Sequence, residues 1–307
     1  MRENLRSVPI ASRIGAAFLL IALTFLVDRA QAQQRYAARG LVLELDKQHR
    51  AMTVSCEEIS GYMDAMVMPI EVRDVKDLQG VVRGSVIEFT LVVDKESSHA
   101  EDIRIRNFES LELDPLSARR LRLLDGAMDP SLAPGSILET GQPAPDFSLT
   151  DQNRQRVTLS QFAGQVVVVT FVYTRCPFPN YCFRLSNNLA RLQRRFAPEM
   201  GHKLTLLSVT LDPVHDQPEA LAEYGRIWKV DAKGWHLLTG PPAEIRKFCE
   251  RFGVGFFPDE GQFIHSLHTL IIDRQGRLAA NLEGNEFTAE QLGDLVESVM
   301  KTQPTGR

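Results

Sequence analysis

Cys176 and Cys182 bracket a proline-rich loop, Cys176-Pro-Phe-Pro-Asn-Tyr-Cys182. Two thiols this close together either form a redox pair or clamp a soft metal ion. Both jobs use the thiolate, and the partial positive charge of a helix N-terminus lowers the thiol pKa toward that form. A second group of soft donors stands far upstream, where Met63, Met66 and Met68 crowd the segment Ser60-Gly-Tyr-Met-Asp-Ala-Met-Val-Met-Pro69. Three of the eight methionines of the chain fall within these six positions, 63 to 68, close to Cys56. Buried methionines otherwise serve as gap fillers. Thioethers grouped with a thiolate select Cu(I), and thiolates joined by an imidazole suit Cu(I) and Cu(II). The same thiolate and imidazole atoms also take zinc, but the Irving–Williams order favours copper where copper is at hand.

The elements around these residues fix how they are presented. Gln165-Val-Val-Val-Val-Thr-Phe-Val-Tyr173 is apolar on both faces, as a central parallel strand should be. After the loop, Leu185, Leu189, Leu192 and Phe196 recur at helical spacing. The two cysteines therefore stand where a buried strand turns into a helix. Strand Leu204 to Val209 precedes a helix carrying Leu221, Tyr224 and Trp228. Strand Trp235 to Leu238 precedes one with Ile245, Phe248, Cys249 and Phe252 on one face, so Cys249 reads as a small core residue. Leu267 to Ile272 and Leu278 to Leu282 form a pair turning at Asp273-Arg-Gln-Gly276. A last helix opens at Thr288 with Gln291 three positions on, a capping-box signal. This order, with cysteines at the first strand–helix junction, is an α/β thioredoxin-like arrangement.

Residues 36–108 read instead as β. Gly40-Leu-Val-Leu-Glu-Leu45 alternates and Ala51-Met-Thr-Val-Ser55 is its hairpin partner. Pro69 to Arg73, Val86 to Val93 and Asp102 to Arg106 follow. Five short strands predict a small all-β barrel, OB-like, in which closure removes exposed edges. Met66 and Met68, two apart, share a face if the strand extends over them. Residues 109–137 lack a clean period apart from a helical turn at Leu116 to Leu124, and read as a flexible linker to a second domain over 138–302.

At 307 residues and a formal net charge of −4, the chain has room for two ordinary domains and no electrostatic footprint for nucleic acid. Its four cysteines are too few for a disulfide-stapled secreted scaffold. Arg2, Arg6 and Arg13 precede the apolar stretch Ile14 to Val27 and an Ala30-Gln-Ala32 cleavage site, the pattern of a signal peptide over residues 1–32. Export to a bacterial periplasm is expected, with an uncleaved inner-membrane anchor as the alternative.

Tyr173-Thr-Arg-Cys-Pro177, Val209-Thr-Leu-Asp-Pro213 and His265-Ser-Leu-His-Thr269 together resemble the Sco/SenC family, thioredoxin-like copper proteins of respiratory membranes. The resemblance covers 138–302 and implies that Cys176, Cys182 and His265 bind copper. The family commonly spaces its cysteines as C-x-x-x-C, so this loop is two residues longer. His268 is the rival of His265, and alternation along a strand would point the two to opposite faces. Asp212 matches the family's acidic residue near the site, or is a turn residue before Pro213. His215 and Asp216 read as solvated. Residues 36–108 resemble the periplasmic CusF-like copper-binding domain. Met66 and Met68 match its Met-x-Met pair, Cys56 falls at its histidine position, and Met63 is a candidate third sulfur. Some members place a tryptophan over the metal, and here Tyr62 and Met63 occupy that neighbourhood.

The resemblance implies extracytoplasmic copper handling, with the copper centre of a cytochrome c oxidase subunit as the client. Two alternatives remain open on the residues. One is a thiol–disulfide oxidoreductase in which Cys176 and Cys182 cycle as a disulfide with a partner protein. The other is a copper-resistance buffer in which both domains only sequester metal.

Overall fold

The computed structural model describes residues 33–94, 97–106, 137–259 and 262–302. The expected signal-peptide segment 1–32 and residues 109–136 of the expected linker, with the helical turn expected at Leu116 to Leu124, lie outside the described residues.

Gln34–Asp46 (β1), Ala51–Cys56 (β2), Met66–Val72 (β3), Val86–Val93 (β4) and Ser98–Ile105 (β5) close into a barrel in the order β1-β2-β3-β5-β4. Neighbours are antiparallel except β3 and β5, which run parallel, so the sheet is mixed. β3 and β5 begin earlier than the sequence pattern suggests, which brings Met66 and Met68 onto the strand. β1 departs from simple alternation. Leu41, Val42 and Leu43 are all buried, Val42 inside the barrel and Leu41 and Leu43 in the core of the second domain. The strand is apolar on both faces because protein covers both.

The second domain is built on a seven-stranded sheet ordered β14-β13-β8-β9-β10-β6-β7. Its strands are Ser148–Asp151 (β6), Arg156–Thr158 (β7), Val166–Val172 (β8), Leu204–Thr210 (β9), Trp235–Thr239 (β10), His268–Ile272 (β13) and Leu278–Glu283 (β14). β8, β9 and β10 are parallel, and the remaining pairs are antiparallel. All seven residues of β8 are buried, with Val166 and Val168 in one core and Val167 and Val169 in the other. Arg184–Arg195 (α1), Pro218–Trp228 (α2) and Ala289–Lys301 (α4) contribute to the first core and Pro242–Arg251 (α3) to the second. Cys249 on α3 is fully buried, the core residue its helical face implies. Thr288 caps α4 by the expected reciprocal box with Gln291. Two hairpins are additions to the sequence reading: β6–β7, and the two-stranded pair Phe256–Asp259 (β11) and Gln262–His265 (β12). Both use strands of three or four residues, too short to show a period.

The two domains touch. Leu41, Leu43 and Val86 of the barrel join Leu282, Leu292 and Val296 in one buried cluster. Gly84 lies so close that a Cβ there would come within 3.2 Å of Ala280 Cβ. Polar contacts surround this seam. Ser55 Oγ donates to Asp294 at 2.7 Å, Gln291 Nε2 donates to the Ser55 carbonyl at 3.1 Å, and Arg39 and Arg106 both pair with Glu286.

Candidate metal centres

The thiol site is assembled from three loops at the C-terminal ends of β8 and β9 and the end of β12. Cys176 follows the turn closed by its own N–H on the Tyr173 carbonyl. Pro179–Phe183 forms one wide π-type turn that runs into α1 and carries Cys182. Both thiols are buried. Cys182 beside it, against the opposing effect of burial and helped by the nearby N–H groups of Phe178 and Cys182 and by Tyr173, brings the Cys176 pKa down to about 6. Cys182 is pushed the other way, first by burial and then by its neighbour Cys176. The pair thus divides into one thiolate and one thiol at neutral pH.

His265 ends β12, buried beside them. Its Nδ1 donates to the Ser266 carbonyl at 3.0 Å, which fixes the tautomer and leaves the Nε2 lone pair 3.9 Å from Cys182 Sγ. Burial lowers its pKa to about 4, so the ring is a neutral donor at neutral pH. Two ligands of one tetrahedral ion, at about 2.3 and 2.0 Å from it, lie about 3.5 Å apart. The Cys182–His265 separation is near that value. Among the described residues no group of three His, Cys, Asp or Glu side chains converges as a closed metal cage. Cys182 is the shared member, in contact with Cys176 on one side and His265 on the other. His268 starts β13, where its Nδ1 bonds Asn281 Oδ1 at 2.9 Å, and Asn281 in turn donates to the Phe252 carbonyl.

The turn before Cys176 hangs from two buried aspartates. Arg175 pairs with Asp212 at 2.6 Å, and His215 bonds the other Asp212 oxygen at 2.9 Å. Burial works against the Asp212 carboxylate, yet these two partners hold its pKa below the usual value. Asp216 corrects the sequence reading: it is fully buried. It accepts from the Thr174 N–H at 3.0 Å and from the hydroxyls of Thr174 and Thr210. Its place in a polar Asp-Pro-Val-His-Asp run suggested solvent. The spacing instead returns it beneath the β8 turn. His215 is exposed, as its sequence context implies.

The barrel presents its sulfur residues at one end. Cys56 pairs across the ladder with Met66, and Val54 with Met68. Cys56 is buried, Met63 and Met68 are half-buried against the barrel core, and Met66 is 52% exposed. Burial raises the Cys56 pKa to about 12, so binding a metal there displaces a proton. Cys56 and Met66 line a cleft of about 570 Å³ whose far wall includes Gln291 and Asp294 of α4. Tyr62 stacks on Tyr36 with ring centroids 4.2 Å apart.

The SCO1/SenC family profile matches residues 137–301. Protein sco1 of Schizosaccharomyces pombe is 28% identical over 162 residues, covering 50% of this chain and 59% of the relative. Mitochondrial Protein SCO2 of Saccharomyces cerevisiae is 26% identical over 196 residues, covering 61% of each. The chain therefore spans about three-fifths of the length of these relatives. Among solved structures, a SCO1/SenC family lipoprotein from Bacillus anthracis aligns with a TM-score of 0.47 at 26% identity, covering 53% of this chain and all of that one.

Proposed function

From the premise that this chain belongs to the SCO1/SenC family, we propose that it is an extracytoplasmic copper-binding protein that delivers copper to the copper centre of cytochrome c oxidase. The observation that carries the reading is the donor set at the thiol loop: Cys176 and Cys182 buried at either end of one turn, and buried His265 with its Nε2 3.9 Å from Cys182 Sγ. This set is soft enough for Cu(I) and, through the imidazole, serves Cu(II). In this reading Cys176, Cys182 and His265 are the ligands, and His268 and Asp212 are supports.

The barrel, bounded by residues 36–108 and followed by a linker, is a second, CusF-like copper site on an OB-like fold. Its strand order with one parallel pair supports the OB-like reading, and Cys56 opposite Met66 with Met63 and Met68 nearby supports a Cu(I) site. The N-terminal segment 1–32 exports the protein to the periplasm.

A second reading, thiol–disulfide exchange with a partner protein, draws on the same asymmetry, because an attacking thiolate beside a protonated resolving thiol is what exchange requires. One experiment separates the two. Copper content and Cu(II) absorption are measured for the full chain, for Cys176→Ser, for His265→Ala and for Met66→Leu with Met68→Leu, alongside reduction of a disulfide substrate. Delivery predicts that His265→Ala loses Cu(II) absorption while disulfide reduction persists, and that the methionine pair costs one Cu(I) equivalent. Unchanged copper content and oxidase loading in His265→Ala would leave only the exchange reading.

A further inference from the structure

The segment joining β14 to α4, Gly284-Asn285-Glu286-Phe287-Thr288, touches both the thiol loop and the barrel. Asn285 is 4% exposed, and its side-chain amide donates to the carbonyl of Asn180, inside the turn between Cys176 and Cys182. Arg184, two residues past Cys182, reaches the Phe287 carbonyl at 3.5 Å. The next side chain, Glu286, faces the other domain: it accepts from Arg39 at 2.8 Å and from Arg106 at 3.0 Å. Gln291, one turn into α4, holds the Ser55 carbonyl next to Cys56.

We propose that Asn285 is a positioning residue for the enlarged C-x5-C loop and that the barrel, through Arg39 and Arg106 on Glu286, sets where Asn285 stands. A five-residue loop between two cysteines has more backbone freedom than a three-residue one, and a carbonyl held by a buried amide removes part of it. The amide is itself held by a peptide whose neighbouring carboxylate is anchored by two guanidinium groups, a charge-assisted arrangement with fixed geometry. Partners that orient ligand-bearing elements typically change metal affinity 10- to 100-fold, about 10-fold being the lower bound expected here. The barrel is then part of the thiol site's scaffold as well as a metal binder.

The proposal rests on the copper reading of the thiol loop, so its test has a readout free of metal. Full-length protein, Asn285→Ala, Asn285→Asp and Glu286→Gln are compared in copper affinity, by chelator competition, and in the Cys176–Cys182 dithiol–disulfide equilibrium against glutathione, in which one oxidised glutathione becomes two thiols as the pair closes. Asn285→Asp keeps the size but deletes the donor. Expected are a loss of copper affinity of about 10-fold or more in both Asn285 variants, a smaller loss in the same direction in Glu286→Gln, and a shifted glutathione equilibrium in all three. Asn285→Asp matching the unaltered protein in the glutathione equilibrium overturns the role of Asn285. Glu286→Gln matching it overturns the role of the barrel. If the unaltered protein binds no copper at the thiol loop, the copper reading falls while the glutathione equilibrium still decides this one.

Discussion

At the scale of single residues, burial and a few hydrogen bonds give two chemically identical thiols different work. Cys182 beside it, with Tyr173 and nearby N–H groups, brings Cys176 down to about 6, while burial pushes Cys182 up. Alkylation of reduced apo-protein by iodoacetamide should therefore rise with pH through a midpoint near 6 and reach its plateau by about pH 7, because the thiolate is the reactive form. A single midpoint near 9 would mean that the hydrogen bonds do not act on Cys176. His265 works in the opposite sense. Its ring loses proton affinity by burial, so between its ordinary value of 6.5 and the folded value of about 4 the unfolded chain binds a proton that the folded chain does not. Apo-protein stability should fall by roughly 3 kcal/mol as pH drops through that window. His268, shifted down for the same reason, adds to the slope. Denaturant unfolding at a series of pH values checks this, and His265→Gln should flatten the curve above pH 4. The carboxylates held low, Glu286 and Asp212, lose their contribution as pH falls below their ordinary values of 4.5 and 3.8, so Glu286 joins at the acid end of this window and Asp212 follows below it.

At the scale of elements, the sheet strands and helices that carry the thiol loop are legible in the sequence because each shows a clear period or an unbroken apolar run. β8 is buried along its whole length, and Leu185, Leu189 and Leu192 line one face of α1. Elements of three or four residues, such as β7 and β12, have no such signal, and so the strand that brings His265 beside Cys182 leaves no mark in the sequence pattern. Asp216 was missed for a related reason: its partners, Thr174 and Thr210, come from other strand ends, and composition carries no trace of that convergence. Gly40 makes a comparable point on the barrel. It sits opposite Cys56 in the β1–β2 ladder, and a Cβ there would come within 2.5 Å of Val54 Cγ1 and 2.7 Å of the Ser55 carbonyl. Gly40→Ala should cost about 1–3 kcal/mol by overpacking. It should also weaken Cu(I) binding at the proposed barrel site, measured by chelator competition; unchanged Cu(I) affinity would mean that the site does not depend on the β1–β2 register.

At the scale of the whole molecule, the two domains share apolar surface, and this changes what the linker has to do. A tether between independent beads acts only by raising effective concentration. Here Leu41 and Leu43 are buried to 0% and 3% exposure beside Leu292 and Val296, so one face of β1 belongs to the thioredoxin-like core. The sequence pattern Leu41-Val42-Leu43 is continuous for that reason, and only the second domain explains it. A barrel with that face uncovered would expose contiguous apolar surface. It follows that the domains should unfold together. Leu43→Ala, which leaves a cavity at the seam without touching either candidate metal site, should destabilise the full chain by about 2–5 kcal/mol. The loss should appear equally in both domains. The two tryptophans, Trp228 and Trp235, report the C-terminal domain alone. Hydrogen exchange of β2 and β4 amides reports the barrel. Coincident transitions by these probes, moving together in Leu43→Ala, are the expected result. A barrel that keeps its exchange protection after the tryptophan transition would show that the seam joins the domains without coupling their stability.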